Sequence, residues 1–205
     1  MVEVLCHSSI KITEDAIIYI DPFKINKEYH DADYVFVTHS HYDHFSPEDI
    51  EKVKKENTIF IVTEDIKEKA EKLFGEENVF SVEPNESYHA YGLDFKTTYA
   101  YNLNKAFHPK GNRWVGYIIQ TNNKTYYIAG DTDNIKEIQD IECDEALIPI
   151  GGTYTMNYKE AAELANTIKA KIVIPTHYGS IVGDKEDAIK FKEIVKDKEV
   201  KILIK

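Results

Sequence analysis

The sequence predicts an α+β fold: two mixed β-sheets with helices packed on their outer faces. Three observations point there. Short apolar, β-branched runs alternate with amphipathic runs along the chain, the patterning of half-buried strands interleaved with surface helices. The strand-like runs crowd the first half in mixed order, not in the regular strand–helix alternation that builds one parallel sheet. No linker rich in Pro, Gly or Ser and no low-complexity block divides the chain, so residues 1–205 are expected to form a single domain.

Strands are expected at Val2–Leu5, Ala16–Ile20, Tyr34–Val37 and Thr58–Val62, each rich in residues that suit a pleated surface. Further strands follow at Val79–Val82, Phe95–Tyr101, Val115–Thr121, Thr125–Ala129, Glu145–Ile150, Lys171–Pro175 and Val200–Ile204. Asn122 and Asn123 separate two of these and read as a hairpin turn. Helices are expected at Pro47–Lys55, Glu64–Phe74, Asn134–Gln139, Tyr158–Ile168 and Lys185–Val195. The first has a Ser46 N-cap, Pro47 at its first position, and Glu48 and Asp49 where acids suit the helix dipole. Gly75 ends the second, after Phe74.

Composition narrows the function. A hydrophobic fraction of 42% and an aromatic fraction of 12% belong to a globular chain, not a disordered one. A net charge of −11 lacks the basic footprint of a nucleic-acid binder, so no stable nucleic-acid partner is expected. It leaves room for an enzyme acting on anionic substrates, because bound divalent metals invert the local field. No apolar run is long enough to span a membrane, and no basic segment precedes an apolar core at the N-terminus. The two cysteines, Cys6 and Cys143, form no disulfide framework, so a reducing, cytoplasmic setting is expected. The sequence is compatible with a homo-oligomer.

The ends of the strands carry the chemistry. Apolar runs lead into Asp21, into Thr38-His39, into Gly130-Asp131-Thr132 and into Thr176-His177. Polar groups converging at strand ends are where open sheets keep their sites. The densest signal is Thr38-His39-Ser40-His41-Tyr42-Asp43-His44, a run of imidazoles and a carboxylate straight after a strand. His39 and His41, two residues apart, can point to the same side. Imidazole and carboxylate are the ligand set for zinc, iron or manganese.

His-x-His-x-Asp-His after an apolar strand resembles the signature of the metallo-β-lactamase superfamily, and Asp21, Gly130-Asp131-Thr132 and Pro175-Thr176-His177-Tyr178-Gly179 follow in that family's order. Cys6-His7-Ser8-Ser9, Asp21-Pro22-Phe23 and Pro149-Ile150-Gly151-Gly152 are similar to the branch that includes ascorbate-6-phosphate lactonase and the phosphodiesterase that cleaves N-acyl phosphatidylethanolamine. The resemblance implies a four-layer αββα sandwich. It also implies one or two divalent metal ions, zinc first, with iron or manganese as alternatives. One ion would take His39, His41 and a third histidine; the other Asp43, His44 and His177; Asp131 would bridge them. Asp21 would buttress the ligand loop.

The third histidine is where the chain departs from the pattern. Relatives carry Pro-Ala-Tyr-His, and the matching stretch here is Tyr99-Ala100-Tyr101-Asn102. His108 is the favoured candidate, with Asn102 or an empty position as the alternatives. His7 is either a group beside the site or a hydrogen-bonded core histidine; His30 and His89 are expected to be exposed. The implied activity is attack of a metal-bound hydroxide on a small-molecule substrate, an ester, lactone or phosphodiester, with Asp43 both ligand and orienter of the water. The opposing reading is a non-catalytic or mononuclear metal-binding protein on the same scaffold. On the substrate side, Thr153 and Tyr154 follow a Gly-Gly turn that could receive an oxyanion. Lys110 and Arg113 flank His108 and could attract a phosphate or carboxylate. Tyr178 adjoins His177.

Overall fold

The computed structural model describes residues 1–204. In chain order it contains β1 (Val2–Cys6), β2 (Ser9–Thr13), β3 (Ile17–Ile20), β4 (Ala32–Phe36), α1 (Pro47–Val53), β5 (Lys54–Thr63), α2 (Lys67–Phe74) and β6 (Val79–Val82). The second half contains β7 (Ser87–Ala90), β8 (Leu93–Tyr99), β9 (Val115–Gln120), β10 (Thr125–Ile128), β11 (Glu145–Pro149), α3 (Tyr158–Thr167), β12 (Ile172–Thr176), α4 (Lys185–Ile194) and β13 (Glu199–Val200).

One sheet runs β1-β2-β3-β4-β5-β6 and the other β13-β12-β11-β10-β9-β8-β7. Each is half antiparallel and half parallel. β1 to β3 pair antiparallel and β3 to β6 parallel. β7 to β10 pair antiparallel and β10 to β13 parallel. The parallel halves are buried on both faces, which requires near-continuous apolar strands. Alternation then assigns each side chain to a layer. Ile18 and Ile20 face the other sheet, while Tyr19 between them faces the first pair of helices. Phe36 enters the space between the sheets, and Val35 and Val37 pack against α1 and α2 with Ile50, Val53 and Phe74. In the second sheet Tyr126, Ile128 and Leu147 face inward, and Tyr127, Ala146 and Ile148 pack with Leu164, Ala165 and Phe191 of α3 and α4. The result is helix, sheet, sheet, helix: the metallo-β-lactamase fold.

Most elements lie where the pattern puts them; the departures have physical causes. β2 went unread because Lys11 interrupts its apolar run. That ammonium is buried, paired to Asp31 at 2.6 Å, with the rings of Tyr19 and Tyr29 4.5–5.0 Å away. β7 is a short, half-polar edge strand. α1 stops at Val53, not Lys55, because Lys54 turns extended and pairs with Ala32 of β4. No α-helix forms over 134–139, only a single 3₁₀ turn at Lys136–Ile138, since the chain there is tied down by Asp133 N–H to the Tyr101 carbonyl. The last strand is cut to Glu199–Val200. No helix among the described residues is long and apolar enough to cross a membrane.

Ser46 caps α1, its side chain accepting from the Asp49 N–H, and Asp49 in turn accepts from the amides of Lys24 and Ile25 at 2.8 and 3.0 Å. Helix and loop are thereby pinned beside the His39–His44 run that precedes them. At the centre of the molecule Phe36 meets Phe95 and Tyr117 edge-to-face, at 5.2 and 4.9 Å between ring centres. Replacing Phe36 with Ala should cost about 3–5 kcal/mol of folding stability, read as a lower denaturant midpoint with an unchanged slope in chemical unfolding.

Candidate metal centre

The site is assembled from strand ends of both sheets. β4 passes through Val37 into Thr38 and His39, and a tight turn follows in which the His44 and Phe45 amides both donate to the His41 carbonyl, at 3.0 and 2.8 Å. Asp21, just past β3, is the anchor of this loop. Its carboxylate accepts from the Thr38 amide (2.8 Å), the Thr38 hydroxyl (2.7 Å) and the Nδ1–H of His44 (2.7 Å). The Thr38 oxygen also lies 3.0 Å from His39 Nδ1. These bonds set the tautomers of His39 and His44, leaving Nε2 of each as a lone-pair donor.

The second sheet supplies Asp131 and His177. Asp131 follows Gly130, where a Cβ would lie 2.8 Å from the Val115 carbonyl oxygen; only glycine lets β10 end this close to β9. His177 follows β12 at φ +57° and donates its amide to the His7 carbonyl at 3.0 Å, so the ends of β12 and β1 are joined across the two sheets. Gly151 serves this contact: a Cβ there would sit 2.3 Å from the His177 carbonyl oxygen.

Around Asp131 the imidazoles converge. Its carboxylate lies 3.0 Å from His177 Nε2, 3.2 Å from His108 Nε2, 3.5 Å from His44 Nε2 and 3.9 Å from His39 Nε2. His39 Nε2 is 3.1 Å from His41 Nδ1. Asp43 Oδ2 lies 3.4 Å from His7 Nε2, 3.5 Å from His44 Nε2 and 3.9 Å from His177 Nε2. Three groupings have ligand atoms within 4.8 Å of one another: His39, His41 and His108; His39, His44 and Asp131; His7, Asp43 and His177.

The donors suit a metal. Buried His7 Nε2, His44 Nε2, His108 Nε2, His177 Nε2 and Asp131 Oδ1 have no hydrogen-bond partner. Each such orphan would cost about 1–3 kcal/mol in a closed core, and a shared cation satisfies them together. Burial pushes the His39 imidazole well below its ordinary range and lowers His41 and His7 too, which keeps them neutral as ligands must be. Burial alone would raise Asp131 and Asp43, as it does raise Asp21, but at these two the histidine neighbours outweigh it. His177, His44 and His108 hold Asp131 well below the usual carboxylate range, and His7 and His44 hold Asp43 at about 2.

Other residues flagged from the sequence fall in different places. Asn102 does not join the cluster; its Nδ2 donates to the Phe107 and Tyr154 carbonyls at 3.0 and 2.7 Å and braces the loop that carries His108. Lys110 and Arg113 do not face the cleft. Lys110 pairs with Glu137 at 2.7 Å and Arg113 with Glu83, because this acid-rich chain offers each a closer carboxylate. Thr153 is exposed and outside the cleft lining, whereas Tyr154 lines it. Tyr178 is fully buried and turns into the core under α3 and α4, away from the cleft. His30 and His89 are exposed and pair with Glu28 and Asp94. Sequence reasoning missed the wall of the site: Tyr42, Phe107 and Ile181 line the cleft, and Trp114 packs 4.7 Å from His39 and 4.8 Å from His41. Aromatic residues beside the clustered histidines were the available signal.

A family model described as a beta-lactamase superfamily domain matches residues 2–177. The chain belongs to the metallo-β-lactamase superfamily. Among its relatives in that superfamily is the UPF0173 metal-dependent hydrolase of Nanoarchaeum equitans, 34% identical over 97% of this chain and 93% of its own. The UPF0173 metal-dependent hydrolase of Pyrococcus abyssi is 31% identical over 100% of this chain and 96% of its own. In structure this metallo-β-lactamase-fold chain is similar to Igni18, a metallo hydrolase from Ignicoccus hospitalis. The TM-score is 0.80 at 25% identity, covering 98% of this chain and 93% of that one.

Two outcomes test the centre. His108→Ala should remove about one metal ion per chain, measured by elemental analysis after loading, while Asn102→Ala should not. Asp21→Asn should weaken metal affinity about 10–100-fold, read by competition with a chromogenic chelator.

Proposed function

We propose that this protein is a hydrolase in which water, activated at one or two bound divalent metal ions, attacks a small ester, lactone or phosphodiester. The observation that carries the reading is the set of buried, partnerless imidazole nitrogens drawn from both sheets around Asp131. His39, His41 and His108 would hold one ion, Asp43, His44 and His177 the other, with Asp131 shared. Such an ion lowers the pKa of its water toward ~7 and polarises the oxygen of the bond to be broken.

The chain's own groups do the rest. Asp43 stays ionised and lies at the floor of the cleft, placed to orient a water through its free lone pairs. Asp21 holds His44 with Nε2 forward, and Thr38 does the same for His39. His7 shares a grouping with Asp43 and His177, and its ring nitrogens are buried without partners. We assign it as a further nitrogen donor to the second ion. An all-imidazole and carboxylate set suits zinc first, with iron or manganese as alternatives. The stretches similar to the ascorbate-6-phosphate lactonase branch support lactones and phosphodiesters as candidates beside simple esters.

Asp43→Ala should lower kcat/KM by about 10²–10⁴-fold on any substrate found among esters, lactones and phosphodiesters, with circular dichroism unchanged. Activity close to wild type in that variant would overturn the mechanism.

A further inference from the structure

We infer that the substrate carries no charged group away from the bond that is broken, and that an apolar or aromatic part of it rests on the mouth of the cleft. This rests on the hydrolase reading and narrows it. The cleft has a volume of about 230 Å³, below the ~300–1,000 Å³ of sites for drug-sized ligands, so the substrate is small. Its floor is made of the ligand residues. Its mouth is made of Tyr42, Phe107, Tyr154 and Ile181.

That mouth is a fixed apolar surface. Tyr42 is 67% exposed and Phe107 46%, so large rings stand open to water beside the chemistry. Exposed apolar groups rimming a polar site mark where a ligand sits. Both are held by neighbours. Phe107 meets Tyr154 edge-to-face with ring centres 4.7 Å apart, and Tyr42 meets Phe23 in the same way at 5.9 Å. The loop under Phe107 and Tyr154 is clamped by Asn102, which binds both of their carbonyls.

Charge points the same way. Among the described residues no Lys or Arg lines the cleft. The basic side chains on the loops around His108 are already neutralised, Lys105 by Asp133, Lys110 by Glu137 and Arg113 by Glu83. Lys24 points its ammonium at Ser180 Oγ, 2.9 Å away. The floor carboxylates, Asp43 and Asp131, would be offset by the metal they hold, so the wall of the cleft decides what charge the distal part of a substrate can carry. Sites that recognise phosphate or carboxylate present Arg, Lys or a helix N-terminus to it. Here an anionic group away from the reacting centre would leave water and meet aromatic rings only, whereas an acyl chain or aryl ring loses nothing.

The test uses the full chain loaded with zinc and three chromogenic substrates: p-nitrophenyl butyrate, p-nitrophenyl hemiglutarate and bis(p-nitrophenyl) phosphate. The first two share a leaving group and differ in a distal carboxylate. The butyrate should exceed the hemiglutarate in kcat/KM by at least about ten-fold, the loss expected for stranding one ionised group without a partner. Phe107→Ala should raise KM for the butyrate about five- to ten-fold with kcat little changed, the mark of lost uniform binding. Phe107→Lys should narrow the gap to the hemiglutarate, with metal content unchanged. Equal rates on the butyrate and the hemiglutarate, or preference for the hemiglutarate, would overturn the inference and leave the hydrolase standing. No hydrolysis of any of the three by metal-loaded protein would sink both.

Discussion

The carboxylate of Asp21 is the constraint on which the site depends. It is buried at the end of β3 and binds Thr38 twice and His44 once, so a single side chain ties the strand end to the ligand loop. Without those bonds, the backbone from His39 to His44 would be a surface loop with only its turn bonds to hold it. With them, His39 and His44 present Nε2 inward before any ion arrives, so less ordering remains for binding to impose. Removing Asp21 from water is costly, and the bonds it makes are the compensation.

The second requirement is that two sheets end in register. His7, Asp21, His39 and His44 come from the first sheet, and Asp131 and His177 from the second. Packing Phe36 against Phe95 and Tyr117 fixes how the sheets lie on each other, and the Tyr117 hydroxyl donates to the Val37 carbonyl at 2.7 Å, two residues before His39. The core and the site are therefore coupled over a very short stretch of chain. The amide bond from His177 to the His7 carbonyl closes the same seam at its other side.

The electrostatics follow from burial. Imidazoles taken out of water lose their protons more readily, and carboxylates surrounded by them keep theirs off. The cluster thus sets neutral nitrogens on His39, His41 and His7 beside the ionised oxygens of Asp43 and Asp131, while against the pull of burial Asp131 and Asp21 hold the His44 imidazole well above its ordinary range. Around His108 the acidic surface takes up Lys105, Lys110 and Arg113 in ion pairs, so these cations are turned outward and the mouth of the cleft is left to aromatic rings.

The sequence alone determined the layers and the loop that carries the His39–His44 run. Apolar periodicity is local, so strands such as Val79–Val82 and helices such as Tyr158–Thr167 were readable with small errors at their ends. The dense His39–His44 run was readable because its residues are neighbours in the chain. What tertiary structure decided were relations between distant segments. β2 was hidden because the partner that makes a buried Lys11 tolerable, Asp31, lies twenty residues away. That His108 lies beside Asp131 while Asn102 braces the Phe107 and Tyr154 carbonyls depends on how the loop folds back. The outward turn of Lys110 and Arg113 depended on Glu137 and Glu83, and Tyr178, beyond the end of β12, joined the core cluster that includes Ala188 and Phe191 of α4. A sequence records which groups are present; only packing determines which of them share a space small enough for lone pairs and charges to act on one another.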